Sequence, residues 1–510
     1  MGKVDSVAVD RPRLSIGQPL ARMPAWVEAV ALGAVAAMLS VFRNIAPSVW
    51  IDESATMSAL NRSFAGLVQM AQHVDLVHVA YYATMYVWVA ALGDSASTLR
   101  TFSGIAVGIA VGTVVAIGRM LWSRVFGVIA GIVFLVLPVT SWMALQARSE
   151  ALSTMLTVVG VALAIAAIRS RGRRSTLLWI GYAVVGLLSI AVFVFTILAF
   201  VSIGVAVFTS RAPRRVRMAW TGYTAALTLF AGGFLLVLRT QSDQVSWIPP
   251  LSGATLESVA VVQFFRGFFR AEVLFAAVVG LLLLVGIVQA ARSLRQGRSR
   301  PIDESGTETG TITIGPVRLA LGWLLIPLAA MLVASLVVAP VYTPAYLAFT
   351  APAFALLIAA ALLVSLNRVL TAVSLIVILT FGAIAYWDQR MPWASFGSSW
   401  QAAATTLADA ARPGDGVLFT VNGNESSRGL KLAYPEAFVA LVDPGPRISP
   451  EADGSLWGVE PDATAIRSTD GRLWVIELQP GTTLPSLLGY HVSANRVVGW
   501  VGLTLLESDG

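Results

Sequence analysis

The chain reads as a polytopic α-helical membrane protein followed by a small α/β domain, and three observations lead there. Its 510 residues are 56% hydrophobic and only 12% charged, with a mean hydropathy of +0.76, which is far too apolar for a soluble globular chain. Apolar runs recur from Trp26 to Tyr386, most of them near the length of about 20 residues that a helix needs to cross a bilayer. After Tyr386 the composition becomes mixed and turn-rich. The expected organisation is therefore an N-terminal tail (1–24), a transmembrane domain (25–386) with a long first loop (46–100), and a C-terminal α/β domain (387–510). The chain has no cysteine, so neither a disulfide nor a thiolate metal site can support that last domain, which must rest on packing.

Taken in order, the first apolar run, 26 to 45, is longer than a signal-peptide core and lacks a small-residue cleavage site, so it reads as a retained helix. Orientation follows from arginines in the short loops. Arg169, Arg171, Arg173 and Arg174 form one cluster, Arg211, Arg214, Arg215 and Arg217 a second, and Arg292, Arg295, Arg298, Arg300 and Arg318 a third. Together with Lys3, Arg11, Arg13 and Arg22 they mark the cytoplasmic side. These clusters are topology signals, and no nucleic-acid partner is expected.

The parity between clusters comes out even only if the run His78 to Leu92 does not cross. At about 1.5 Å per residue it reaches about 22 Å, short of a hydrocarbon core of roughly 30 Å, so an interfacial helix is expected there. Spans then fall near 101–121, 126–143 and 150–168, followed by a hairpin of two short helices in 176–210. Further spans lie near 217–238, 273–291, 318–338, 346–366 and 369–386, about eleven in all. The N-terminus lies inside and the C-terminus outside, in a bacterial plasma membrane. The polar stretch 296–316 reads as a flexible inner linker. In the C-terminal domain, Trp400 to Ala411 reads as an amphipathic helix, and strands are expected at Val417–Val421, Leu473–Leu478 and Val497–Leu505.

Chemistry should sit in the outer loops, because the spans carry almost no charge in their middles, whereas a transporter or flippase, the main rival class, places ionisable groups near the midplane. The first loop holds Trp50-Ile51-Asp52-Glu53, then Asp75, His78, Tyr81 and Tyr82. Cations face them: Arg62, Arg100, Arg148 beside Glu150, and Arg239, Arg266 and Arg270 in the loop after residue 238. This mixture suits transfer of a sugar from a lipid phosphate. A carboxylate can deprotonate the acceptor hydroxyl, and arginine forks or an imidazole can hold the departing phosphate. Plainer roles stay open: Tyr81 and Tyr82 as interfacial aromatics rather than sugar-stacking rings, Arg148 as an anchor, Glu150 as its partner, and Gln244–Pro250 as a rigid loop or a lid. Trp457 or Trp474 could meet sugar, although Trp474 in an apolar strand suits a core. The sequence holds no metal-ligand spacing, no phosphate loop and no nucleophile motif, so no cofactor is required, and a divalent metal stays open.

The string Asp52-Glu53, Asp75, His78-Val-Ala-Tyr81-Tyr82, then Ala91 to Ser103 with Arg100, Phe126-Gly127, Pro138 and Gln146-Ala-Arg148-Ser-Glu150 resembles the GT-C superfamily of glycosyltransferases. More narrowly it is similar to the family 39, PMT-like branch, with its protein mannosyltransferases and lipid A aminoarabinose transferases, and to polyprenyl-phosphate-sugar mannosyl- and arabinosyltransferases. The resemblance covers residues 26–210 well and the rest loosely. It implies a GT-C fold with juxtamembrane helices in the first loop. It also implies an inverting transfer of mannose or arabinofuranose from a polyprenyl-phosphate donor to an envelope glycolipid, polysaccharide or protein. Asp52 would be the general base and Glu53 its acidic partner, with Asp75 and His78 as substrate or phosphate contacts and Arg100 and Arg148 as outer-face arginines. Where relatives read Pro-Arg-Tyr-Leu, this chain reads Pro344-Ala345-Tyr346-Leu347. Arg266 or Arg270 would then have to replace the missing cation, or the chain is an altered, even noncatalytic, envelope protein on the same fold.

Overall fold

The computed structural model describes residues 24–210, 212–266, 271–295, 314–394, 398–422, 425–461, 471–478 and 489–509. A first helix, α1 (Ala25–Val41), packs along α5 (Ala96–Leu121), and between them the first long loop folds into α2 (Ile51–Leu60), α3 (Phe64–His73) and α4 (Val79–Leu92). Small residues let α1 and α5 approach closely: a Cβ on Gly108 would lie 2.7 Å from the Ala37 Cβ, and one on Gly112 2.6 Å from the Ala29 carbonyl oxygen. Without water to drive association in lipid, such backbone-to-backbone packing is a main source of helix pairing.

The α4 helix is a short apolar helix, as are α1 and the later helix at 194–209. Ser95 caps the start of α5 by accepting the Thr98 N–H, and Ser123 caps α6 (Arg124–Val136) by accepting the Phe126 N–H, each satisfying an orphan donor of a first turn. The expected single span 126–143 is instead broken by a 64° bend between α6 and α7 (Pro138–Ala144). Pro138 supplies no N–H and forces Leu137 into an extended conformation (φ −62°, ψ 131°), so the helix restarts at the proline, which tolerates the N1 position.

Helices α8 (Glu150–Arg169), α9 (Gly172–Val192), α10 (Ile197–Thr209) and α11 (Arg214–Leu238) then follow. After a loop containing α12 (Ala254–Phe265) come α13 (Glu272–Arg295), α14 (Pro316–Val337), α15 (Ala351–Ser365) with a 3₁₀ entry over Pro344–Thr350, and α16 (Arg368–Asp388). Among the described residues eight helices are long and apolar enough to cross a membrane, and the bent pair makes nine; α1 and α10 are shorter apolar helices at the two remaining expected positions. The up-and-down order of α8 to α11 puts Arg169 to Arg174 and Arg214 to Arg217 at one end, where Arg318 donates to the Thr209 carbonyl. Lys3, Arg11, Arg13, Arg22, Arg211, Arg298, Arg300 and the linker residues 296–313 lie outside the described residues.

The C-terminal domain carries α17 (Trp400–Ala410) against a four-stranded mixed sheet in the order β1 (Gly416–Phe419), β4 (Arg472–Leu478), β6 (Val501–Ser508), β5 (Tyr490–Val498). The expected strand 497–505 is a hairpin, because Gly499, at φ 58°, turns the chain so that Val498 pairs with Val501. That is a two-residue loop, which favours positive φ. Trp474 is 2% exposed and donates its indole N–H to Asp415 at 2.9 Å, so it belongs to the core and not to a sugar site. A short hairpin, β2 (Val421–Asn422) with β3 (Glu425–Ser426), leads into α18 (Arg428–Ala433), which packs on α2.

Candidate active site

Asp52 and Glu53 share the first turn of α2, where carboxylates are favoured by the exposed N–H groups of a helix start. Successive residues on a helix point about 100° apart, so the pair divides its labour. Glu53 is 1% exposed and meets Arg100, which is 0% exposed, in a bidentate pair with Nε–Oε1 at 2.7 Å and Nη2–Oε2 at 2.5 Å. The Arg100 guanidinium also donates to the carbonyls of Asn44, Pro47 and Ser48 at 2.7, 2.8 and 3.1 Å, which uses all five of its N–H groups. Glu53 Oε1 accepts the Ala147 N–H at 3.0 Å. Arg100 is therefore a structural anchor with no donor left for a phosphate, contrary to the expectation for it, and Glu53 is its buried counter-charge.

Asp52, on the other face, is 44% exposed, but what it faces is a cavity of about 870 Å³. Burial by the surrounding walls raises its carboxyl above the ordinary 3.8; Arg148 opposes that shift, and Asp75 and Glu53 add to it.

The turn between α7 and α8 presents Arg148 to this carboxylate. Arg148 Nε lies 4.0 Å from Asp52 Oδ2, too far for a hydrogen bond. Its Nη1 donates to the Tyr82 hydroxyl (3.2 Å) and to the Asp52 carbonyl (3.4 Å), and Nη2 lies 2.9 Å from His78 Nε2. A guanidinium can only donate, so His78 accepts at Nε2 and carries its proton on Nδ1. Burial, then Arg148, pushes the imidazole down to about 3, so it stays neutral at physiological pH. Tyr82 donates to Asp75 Oδ2 at 2.7 Å. Asp75 holds a left-handed conformation (φ 57°), and its N–H donates to Gln244, as the next N–H does to Gln241, at 3.1 and 3.0 Å. These bonds tie the first loop to the segment 239–245.

Asp52, Asp75, His78, Arg148, Glu150 and Arg266 all line the one cavity, together with Ala345. Arg266 stacks 4.2 Å over the Trp142 ring, a favourable cation–π arrangement. Burial lowers its guanidinium to about 10, with Glu150 opposing the shift, so it keeps its charge at neutral pH. Two expectations are corrected by burial. Tyr81 and Tyr82 are both 0% exposed and neither lines the cavity; Tyr82 instead bridges Asp75 and Arg148. Arg270 lies outside the described residues. Arg62 is spent on the Ser58, Ser455 and Leu456 carbonyls.

The cavity also holds residues that the sequence did not single out: Trp142, Asp243, and Glu425 from the C-terminal domain. Trp457 and the exposed Trp247 complete its rim and wall. Among the described residues no group of three or more His, Asp or Glu side chains is arranged to hold a metal ion.

No protein-family profile and no curated protein sequence matches the chain. Two crystal structures of ArnT from Cupriavidus metallidurans are similar to it, one bound to undecaprenyl phosphate and one in the apo state. Their TM-scores are 0.55 and 0.54 at 13% and 12% sequence identity, with 94% of this chain and 97% of ArnT covered in both. The chain has the GT-C fold.

Removing one partner of the buried pair leaves an uncompensated charge, a change that costs about 3–5 kcal/mol. Glu53→Gln is expected to lower the unfolding free energy by that order, read from thermal or denaturant unfolding in detergent. A loss below about 1 kcal/mol would show that the pair does not anchor the loop.

Proposed function

We propose that this protein is a membrane glycosyltransferase that moves a sugar from a polyprenyl-phosphate donor to an acceptor hydroxyl, with Asp52 as general base and with Arg148 and Arg266 on the leaving phosphate. The observation that carries the reading is the placement of Asp52 and Arg148 4.0 Å apart on one cavity wall, in a space of the size that ligand sites occupy. At that distance the carboxylate keeps lone pairs open for a proton while it feels the guanidinium charge. That ArnT, a protein of the same fold, binds undecaprenyl phosphate adds support for the donor class.

The chemistry follows from these charges. Asp52 takes the proton of the acceptor hydroxyl as its oxygen bonds to the sugar's anomeric carbon. The bond from that carbon to the phosphate oxygen breaks on the opposite face, which inverts the configuration, and its electron pair leaves with the polyprenyl phosphate. Negative charge grows on the phosphate as it departs, and buried guanidinium groups stabilise such charge far better than water would. In this reading Arg266 supplies the cation that Ala345 does not, and both residues line the cavity. Neutral His78 can donate its Nδ1–H, which has no partner among the described residues, to a phosphate or sugar oxygen. Asp75 contacts the donor sugar, and Glu150 sets the position and charge of Arg266.

Mannose or arabinofuranose on the donor, and a glycolipid, polysaccharide or protein as acceptor, complete the reading. The site faces the outside of a bacterial plasma membrane, with the N-terminus in the cytoplasm. The transporter alternative fits less well, since Asp52 and Glu150 stand in first helical turns and Arg148 in a turn, not at mid-span.

Asp52→Asn is expected to lower turnover by about 100- to 10,000-fold with labelled polyprenyl-phosphate-mannose or -arabinose, while donor binding persists; retained turnover would remove Asp52 as the base. The pH profile carries a second expectation. Because burial raises the Asp52 carboxyl, kcat/KM should fall with decreasing pH at values above the ordinary 3.8. Arg148 lowers that pKa, so in Arg148→Gln the acid limb should move to higher pH. An unmoved limb would show that Asp52 is not the group titrating.

A further inference from the structure

The cavity has a wall that the transfer scheme leaves unused. Glu425, from the C-terminal domain, lines it alongside Asp52. Its carboxylate has neither a hydrogen bond nor an ion pair among the described residues, unlike the domain's neighbouring acids, Asp443 and Glu460, which Arg428 engages at 2.8 and 2.5 Å. Burial, and then the nearby Asp52 charge, raise its pKa, and neither arginine of the cavity contributes to that shift.

The position of Glu425 is built, not incidental. It sits at the turn end of the β2–β3 hairpin, paired with Asn422. Ser427 closes the hairpin's base, its N–H donating to the Thr420 carbonyl at 3.0 Å and its hydroxyl to the Ile476 carbonyl at 2.8 Å. Just beyond, Gly429 packs so tightly on α2 that a Cβ there would lie 2.6 Å from Ser54 Oγ. A second clamp joins α2 to the same domain, as Ser58 Oγ and Arg62 donate to the Leu456 carbonyl. The helix that carries Asp52 and the hairpin that carries Glu425 are thereby fixed to each other.

We propose that Glu425 is an acceptor-binding residue and that the acceptor is a neutral, polyhydroxylated glycan; this rests on the transferase reading above. The acceptor hydroxyl must reach Asp52, while the donor phosphate occupies the arginines. A carboxylate that neighbours Asp52 and is not engaged by those arginines therefore falls on the acceptor side. Two carboxylate oxygens can accept from adjacent sugar hydroxyls. A cationic acceptor group held there would stand beside Asp52 and pull its pKa back down, weakening the base that burial has tuned.

The test uses the full chain carrying Asp52→Asn, so that binding is read without turnover. Labelled mannose, arabinofuranose and glucose hexasaccharides and the amine-bearing chitosan hexamer are the acceptor probes, and undecaprenyl phosphate is the donor-side probe. At least one neutral hexamer should bind, Glu425→Gln should weaken it by about 10- to 100-fold, as for a lost hydrogen bond to a charged group, and Glu425→Asp should restore part of the affinity. Undecaprenyl phosphate affinity and the unfolding midpoint should not change. No binding of any neutral hexamer, preference for the chitosan hexamer, glycan affinity insensitive to Glu425→Gln, or an equal loss of undecaprenyl phosphate affinity would each overturn the proposal. Transfer by the unmutated protein, assayed in parallel, separates the two readings. Glycan binding that needs Glu425 without any transfer removes the transferase and leaves a glycan site, whereas transfer with Glu425-insensitive affinity removes the acceptor subsite alone.

Discussion

The arrangement of this site depends on one buried ion pair. Glu53 and Arg100 are both almost wholly enclosed, and a pair in such surroundings is tolerated only when its remaining hydrogen-bonding capacity is met. Here it is met by the backbone of the loop just before α2 and by the N–H of Ala147. The consequence is geometric. Glu53 is the neighbour of Asp52, and Ala147 is the neighbour of Arg148. A single carboxylate thus fixes, one residue away on each side, the two groups that face each other across the cavity wall.

A second guanidinium anchors the adjoining stretch of the chain, at the end of α1. Arg390 donates to the carbonyls of Leu39, Ser40, Phe42 and Tyr386 and to the Ser141 hydroxyl. It joins the end of α1, the end of α16 and α7, where last-turn carbonyls lack helical partners. With both anchors engaged, the membrane helices present a fixed rim on which the C-terminal domain rests. The cavity is shared between the two: the helical part contributes Asp52, Arg148 and Arg266, and the C-terminal domain contributes Glu425 and Trp457.

What the sequence made legible follows from what its signals encode. Apolar run length and arginine spacing report the lipid environment directly, so the spans, the short α4 and the hairpin of α9 and α10 could be read from them. Asp52, Asp75, His78, Arg148, Glu150 and Arg266 could be named because charge is costly near a bilayer and stands out there. Which way each side chain faces is a different matter. Arg100 and Arg148 look alike in sequence, yet one spends every donor on Glu53 and on backbone carbonyls while the other faces the cavity, a distinction set by tertiary packing. Tyr81 and Tyr82 look like interfacial rings and are buried struts. Pro138 was visible as a residue, but its 64° break depends on the span restarting rather than kinking. Glu425 carried no local signal, since it reaches the site only through the docking of a hairpin some 370 residues away along the chain, far from Asp52.

In the proposed transfer the phosphate of a polyprenyl donor lies against Arg148 and Arg266, with Asp52 beside the reacting carbon. A structure of the full chain with bound undecaprenyl phosphate tests it most directly. Phosphate oxygens are expected within about 3 Å of guanidinium nitrogens of both arginines, inside the cavity that Asp52 lines. A phosphate held at the arginine-rich opposite end of the helices, or in the cavity without contact to Arg148, would contradict it.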